Sequence, residues 1–213
     1  MGGPREGRRT EDNNRSLDRI LALSDGVFAI ALTLLVLNIE VPEIPEDLVA
    51  EELPGALLDL WPKFLSYLLS FVVIIFYWIA HHSIFGLIKD HDRVLVWLNS
   101  LFLLCVAFLP FPTALLGEYG DQQLVVVIYA GSLAITRLLL SLVWWYVSGR
   151  PHLASIDMDP STMRAFGIRA WVIPLIFLVS IAISFFSVTA AVYSWLLLVI
   201  ADFVLLRVLR RSR

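Results

Sequence analysis

The run from Arg19 to Ile39, RILALSDGVFAIALTLLVLNI, constrains the fold more than any other stretch. About 20 residues at ~1.5 Å each cross the ~30 Å hydrocarbon core of a bilayer, so this run is long enough to span one. Its first turns nevertheless carry Arg19, Ser24 and Asp25, and Thr33 lies within it. Polar groups at such depth are costly against lipid and face protein or water. The run therefore reads as a first transmembrane helix turned toward other protein or a water-filled path.

The rest of the chain repeats the apolar theme. Of 213 residues 59% are hydrophobic and 16% charged, against roughly half and a quarter in soluble domains. Five further apolar segments follow, at about Trp61–Leu87, Val94–Leu116, Gln122–Val147, Ala170–Ser187 and Ala190–Leu209. Pro110 and Pro112 predict a kink or a loosened end late in the third span. The expected architecture is an all-α polytopic membrane protein with six transmembrane helices per chain. Residues 1–17 form a disordered leader, 18–209 the membrane domain and 210–213 a basic tail. The leader, the second and fourth loops and the tail hold nearly all the Lys and Arg, whereas the first and third loops are acidic. Basic segments stay on the cytoplasmic side, so both termini are expected there.

Several function classes drop out at this point. A basic leader beside a membrane span marks sidedness rather than nucleic-acid binding. The single cysteine, Cys105, excludes an intrachain disulfide and a cysteine-built metal site. The polar leader and long first span do not fit a cleavable signal. No phosphate-binding Gly-rich loop or nucleophile–base pattern points to an enzyme, and no cofactor is expected.

Polar residues on three spans fall at one depth. Ser24 and Asp25 lie about 9 Å above Arg19, and His81 or His82 and Asn99 lie at a similar height on the second and third spans. Buried polar groups need partners, so these residues are expected to form an interhelical hydrogen-bond cluster. Adjacent His81 and His82 point about 100° apart on a helix, which disfavours a shared metal ion. Arg137 in the fourth span and Asp202 in the sixth reach comparable depth, and an ion pair between them is expected.

Ile30, Leu34 and Leu37 share one face of the first span at i, i+4, i+7 spacing, with Thr33 beside it. Two readings fit that spacing. The stripe either packs against other helices, with Thr33 bonding its own i−4 carbonyl, or lines an axis shared by several copies as rings of aliphatic side chains.

The segment Arg19-Ile20-Leu21-Ala22-Leu23-Ser24-Asp25-Gly26 resembles the RxxxFSD signature of the transmembrane protein 175 family of potassium channels, with Leu23 where the family has Phe. The resemblance continues through Ala29–Leu37, His81–Phe85, Asn99 and Leu109–Thr113. It implies a potassium-preferring channel in a prokaryotic cell membrane, built as a homotetramer around a central pore lined by the first helix, with K+ as the permeant ion. It further implies that Ile30 is the narrowest ring, with Leu34 and Leu37 above it, and that Thr33 takes the hydroxyl position tied to selectivity. Arg19, Ser24 and Asp25 map to the signature, and His81 or His82 with Asn99 to its interhelical partners. The competing expectation is a proton-coupled secondary transporter that uses Asp25 and a span-two histidine as proton carriers.

Overall fold

The computed structural model describes residues 4–154 and 160–195. In order, the helices are α1 (Pro4–Leu34), α2 (Val49–Asp59), α3 (Trp61–Phe85), α4 (Arg93–Phe108), α5 (Pro110–Tyr119), α6 (Gln123–Ser148), α7 (Pro160–Ser184) and α8 (Val188–Ser194). A 3₁₀ turn, Leu35–Asn38, prolongs α1. Among the described residues four helical stretches are long and apolar enough to cross a membrane: Arg15–Asn38, Trp61–Phe85, Arg93–Tyr119 and Gln123–Ser148. The chain is a multi-pass, all-helical membrane protein. The fifth apolar segment appears as Ala170–Ser184 within α7. The expected sixth span starts with α8, and its remainder, with the basic tail 210–213, lies outside the described residues.

Residues 1–17 are expected as a disordered leader; the part of them that is described, from Pro4 onward, runs into α1 as helix. Extending an existing helix avoids the nucleation cost that a free leader would face. Proline also suits a first helical position. Ser16 then ties the base of α1 to the bundle, its Oγ 3.1 Å from His91 Nε2. The acidic first loop, residues 40–60, likewise read as irregular but contains α2, with Pro54 inside it. Glu51 and Glu52 in its first turn favour the positive end of the helix dipole. None of its residues is buried.

Proline placement explains the other irregularities. The third span breaks at Leu109, where α4 gives way to α5 at Pro110, as its two prolines lead one to expect. In α7 the interior Pro174 has no amide to give to the carbonyl four residues back, that of Ala170. Ser141 on α6 places its Oγ 3.1 Å from the freed Ala170 carbonyl and 2.9 Å from the Arg137 carbonyl of its own helix, so its one proton is shared between them. A neighbouring helix thus offers the freed backbone group a partner, as a bilayer requires. Helix α6 is the centre of the protomer. Val126, Tyr129, Ala130, Leu133, Leu140 and Val143 all lie at or below 1% exposure.

The end of the bundle that holds Ser16 and His91 is fastened by its loops. Ile88 bridges Ala154, and the Lys89 amide donates to the Leu153 carbonyl at 2.9 Å. Asp92 caps α4 through the Leu95 amide at 2.8 Å and accepts from the Tyr146 hydroxyl at 2.6 Å. Arg150 lies over the Tyr146 ring at 3.6 Å. Partial burial by itself raises the Asp92 pKa, but the Tyr146 and Leu95 donors outweigh it and hold the carboxyl below its ordinary value of 3.8. A depressed carboxyl contributes stability above its unfolded pKa and loses it as pH falls through the folded one. Tyr146→Phe therefore lowers the thermal midpoint at neutral pH, and the difference from wild type closes as pH falls below 3.8. Melting curves across that range check it; a pH-independent difference contradicts it.

Candidate functional site

The geometry of α1 sorts its residues by face. Leu17, Ser24, Phe28, Ala31 and Leu35 recur at helical spacing and are buried against the bundle. The opposite face is uncovered by the protomer: Leu23 is 62% exposed, Ile30 60%, Leu34 41% and Leu37 70%, and Thr33 is also exposed. Thr33 Oγ1 donates to the carbonyl of Ile30 at 2.9 Å, three residues back rather than the four expected. A row of aliphatic side chains broken by one hydroxyl therefore lies open along the whole upper half of the first span.

The lower half is held by a buried polar chain. Ser24 is fully buried and donates to the Ile20 carbonyl at 2.9 Å. The Asn99 amide donates to Ser24 Oγ at 3.1 Å, and Asn99 Oδ1 lies 2.9 Å from His81 Nε2. Three spans are joined through two side-chain contacts, and each of these residues is at most 2% exposed. The His81 ring is fixed by aromatic neighbours, stacking on Phe85 at 4.2 Å and Phe102 at 5.5 Å, with Phe28 at 5.8 Å. This arrangement positions a polar cluster while keeping it dry.

The remaining candidates divide. Asp25 lies one residue round the helix from Ser24, is exposed, and accepts from the Trp78 indole N–H at 2.8 Å. His82 stacks on the same Trp78 ring at 5.7 Å. The two histidines thus diverge as helix geometry requires, His81 into the cluster and His82 away from it. Arg19 is exposed and stands outside the hydrogen-bonded chain. Arg137 is buried on α6, and its expected partner Asp202 lies outside the described residues.

Two features escaped the sequence. Trp78 as the partner of Asp25 was signalled only by its place one turn before His81 and His82. A second buried chain was not signalled at all. Thr113 Oγ1 lies 2.8 Å from Ser70 Oγ, which lies 2.9 Å from the Tyr129 hydroxyl. Small hydroxyls on apolar helices bond their own backbone equally well, so spacing does not reveal such contacts.

A family model described as the endosomal/lysosomal potassium channel TMEM175 matches residues 19–110, which hold both the open face of α1 and the Ser24–Asn99–His81 chain. A potassium channel of Chamaesiphon minutus is 38% identical over 179 residues, 82% of this chain and 87% of the relative. A potassium channel of Streptomyces collinus is 36% identical over 159 residues, 71% of this chain and 74% of the relative. The crystal structure of a lysosomal potassium-selective channel TMEM175 homologue from Chamaesiphon minutus superposes with a TM-score of 0.76 at 35% identity, covering 88% of this chain and 96% of that one. The chain belongs to the TMEM175 family.

Proposed function

We propose that this chain is a potassium-preferring cation channel that conducts passively. Four copies surround an axis lined by the first span, in the plasma membrane of a prokaryote, with six spans per chain and both termini in the cytoplasm. The observation that carries the reading is the bare face of α1. Ile30, Thr33, Leu34 and Leu37 are left uncovered by their own protomer, while the opposite face of the same helix is packed tightly. Similarity to proteins named potassium channels supports the choice of ion. Rings of Ile30, Leu34 and Leu37 form a hydrophobic constriction that gates by dewetting. Thr33 places the one hydroxyl ring among them and contributes to selection between cations. The acidic residues of the first loop raise the local cation concentration at the outer mouth, weakly at physiological salt.

The cluster at the base of α1 acts as a scaffold for the pore helix. Ser24, Asn99 and His81 form its buried core, and the exposed Asp25 and Arg19 complete the signature. An Arg137–Asp202 pair neutralises the buried guanidinium of α6. The transporter alternative needs Asp25 and a span-two histidine to exchange a proton. Instead Asp25 is engaged by Trp78, and His81 is locked to Asn99 and enclosed by aromatic rings.

Purified protein in liposomes tests the reading. A potassium gradient alone drives flux, and sodium passes more slowly. Flux that requires a proton gradient supports the transporter, and no flux of any ion removes both. Thr33→Ala is expected to lower the potassium-to-sodium permeability ratio while retaining conductance; an unchanged ratio in bi-ionic reversal potentials removes the role of Thr33.

A further inference from the structure

The upper end of α1 is not α-helical. Residues Leu35–Asn38 tighten into the 3₁₀ turn, which buries Leu35 completely and leaves Leu37 70% exposed. Such turns have poorer hydrogen bonds than an α-helix and are easily displaced. Asn38 reaches toward the bundle from this turn. Its Nδ2 donates to the carbonyl of Pro110 at 3.2 Å. Pro110 stands where the third span breaks, and the Leu109 amide there bonds Val106, one residue short of the α-helical partner. Beyond the break α5 is anchored, since Thr113 reaches Ser70 and Ser70 reaches Tyr129 on α6. A cleft of about 400 Å³ bordered by Leu37, Asn38, Phe111 and Glu118 leaves the turn loosely packed on this side. Leu35 anchors one side of the turn by its burial, and the hydrogen bond from Asn38 is the polar tie that holds its far end to α5.

We propose that Asn38 is a positioning residue whose bond to Pro110 draws the 3₁₀ turn outward against α5 and so sets the aperture left by Leu37. The proposal rests on the reading of α1 as the pore helix. When the tie is lost, the turn relaxes toward the axis and Leu37 narrows the passage. The effect acts through the bulk of Leu37, so it disappears when that bulk is removed.

Potassium flux through reconstituted Asn38→Leu tests it. Leucine matches the size of asparagine and cannot donate. Flux falls about fivefold, the population shift that loss of one hydrogen bond produces. Asn38→Gln, which keeps the amide, recovers part of it. In a Leu37→Ala background, Asn38→Leu leaves flux at the Leu37→Ala level. Wild-type flux in Asn38→Leu, or an equal loss with and without Leu37, overturns the proposal. Should Asn38→Leu fail to assemble, Asn38→Ser, whose hydroxyl is too short to reach Pro110, is read in the same way. Ile30→Asn run in parallel separates the two failures. If it changes flux and Asn38→Leu does not, the role of Asn38 falls while the pore stands; if neither Ile30→Asn nor Leu37→Ala changes flux, both fall.

Discussion

Ile30→Asn raises potassium current about tenfold in a planar bilayer, which corresponds to a barrier lower by about 1.4 kcal/mol. The physical reason is local. Ile30 is 60% exposed, on the face of α1 opposite the one packed into the bundle. In a ring of four, its branched side chains keep water out of a narrow passage, and an ion that enters must shed hydration for no compensating contact. Asparagine has similar size but offers an oxygen and an N–H to water at each position. The constriction then stays wet and the ion keeps more of its shell. The substitution sits on an exposed face, so it leaves folding largely untouched and its effect is read as conductance. Unchanged current in Ile30→Asn, with normal assembly, removes Ile30 from the gate.

Asn99→Ala lowers stability by about 2 kcal/mol, with a fall in thermal midpoint of roughly 4–8 °C. Asn99 is the middle of the chain, donating to Ser24 and approaching His81, and both partners are buried. Removing it leaves two polar groups without that contact in a dry interior and adds a small cavity. Hydrogen bonds between membrane helices average only about 0.6 kcal/mol each, so the cavity supplies much of the effect. Asp25→Ala moves the midpoint less, because the Asp25–Trp78 contact is exposed. Detergent melting curves of the two variants check the order. Equal midpoints for Asn99→Ala and wild type contradict a scaffold at the base of α1.

The readable part of the fold was the part written in hydropathy. The first four spans lie within a few residues of their expected ends because ~20 apolar residues and flanking charges define a span without tertiary information. Helix α2 was hidden by Pro42, Pro45 and Pro54, which mark breaks in a sequence although a short helix tolerates Pro54 inside it. The site divides in the same way. Depth counting brings Ser24, His81 and Asn99 to one level, and the structure bonds them there. Depth does not fix azimuth, so the choice between His81 and His82 stayed open, and Arg19 was grouped with residues it does not meet. The Thr113–Ser70–Tyr129 chain and the Asn38–Pro110 bond depend on how far helices tilt and break, which no periodicity encodes.

A density map of the assembled protein in lipid nanodiscs decides whether the first span lines a pore. Four first spans are expected around one axis, with Ile30, Leu34 and Leu37 turned toward it and water above and below the Ile30 ring. A map in which that face of α1 meets lipid, or is covered by another helix, contradicts it.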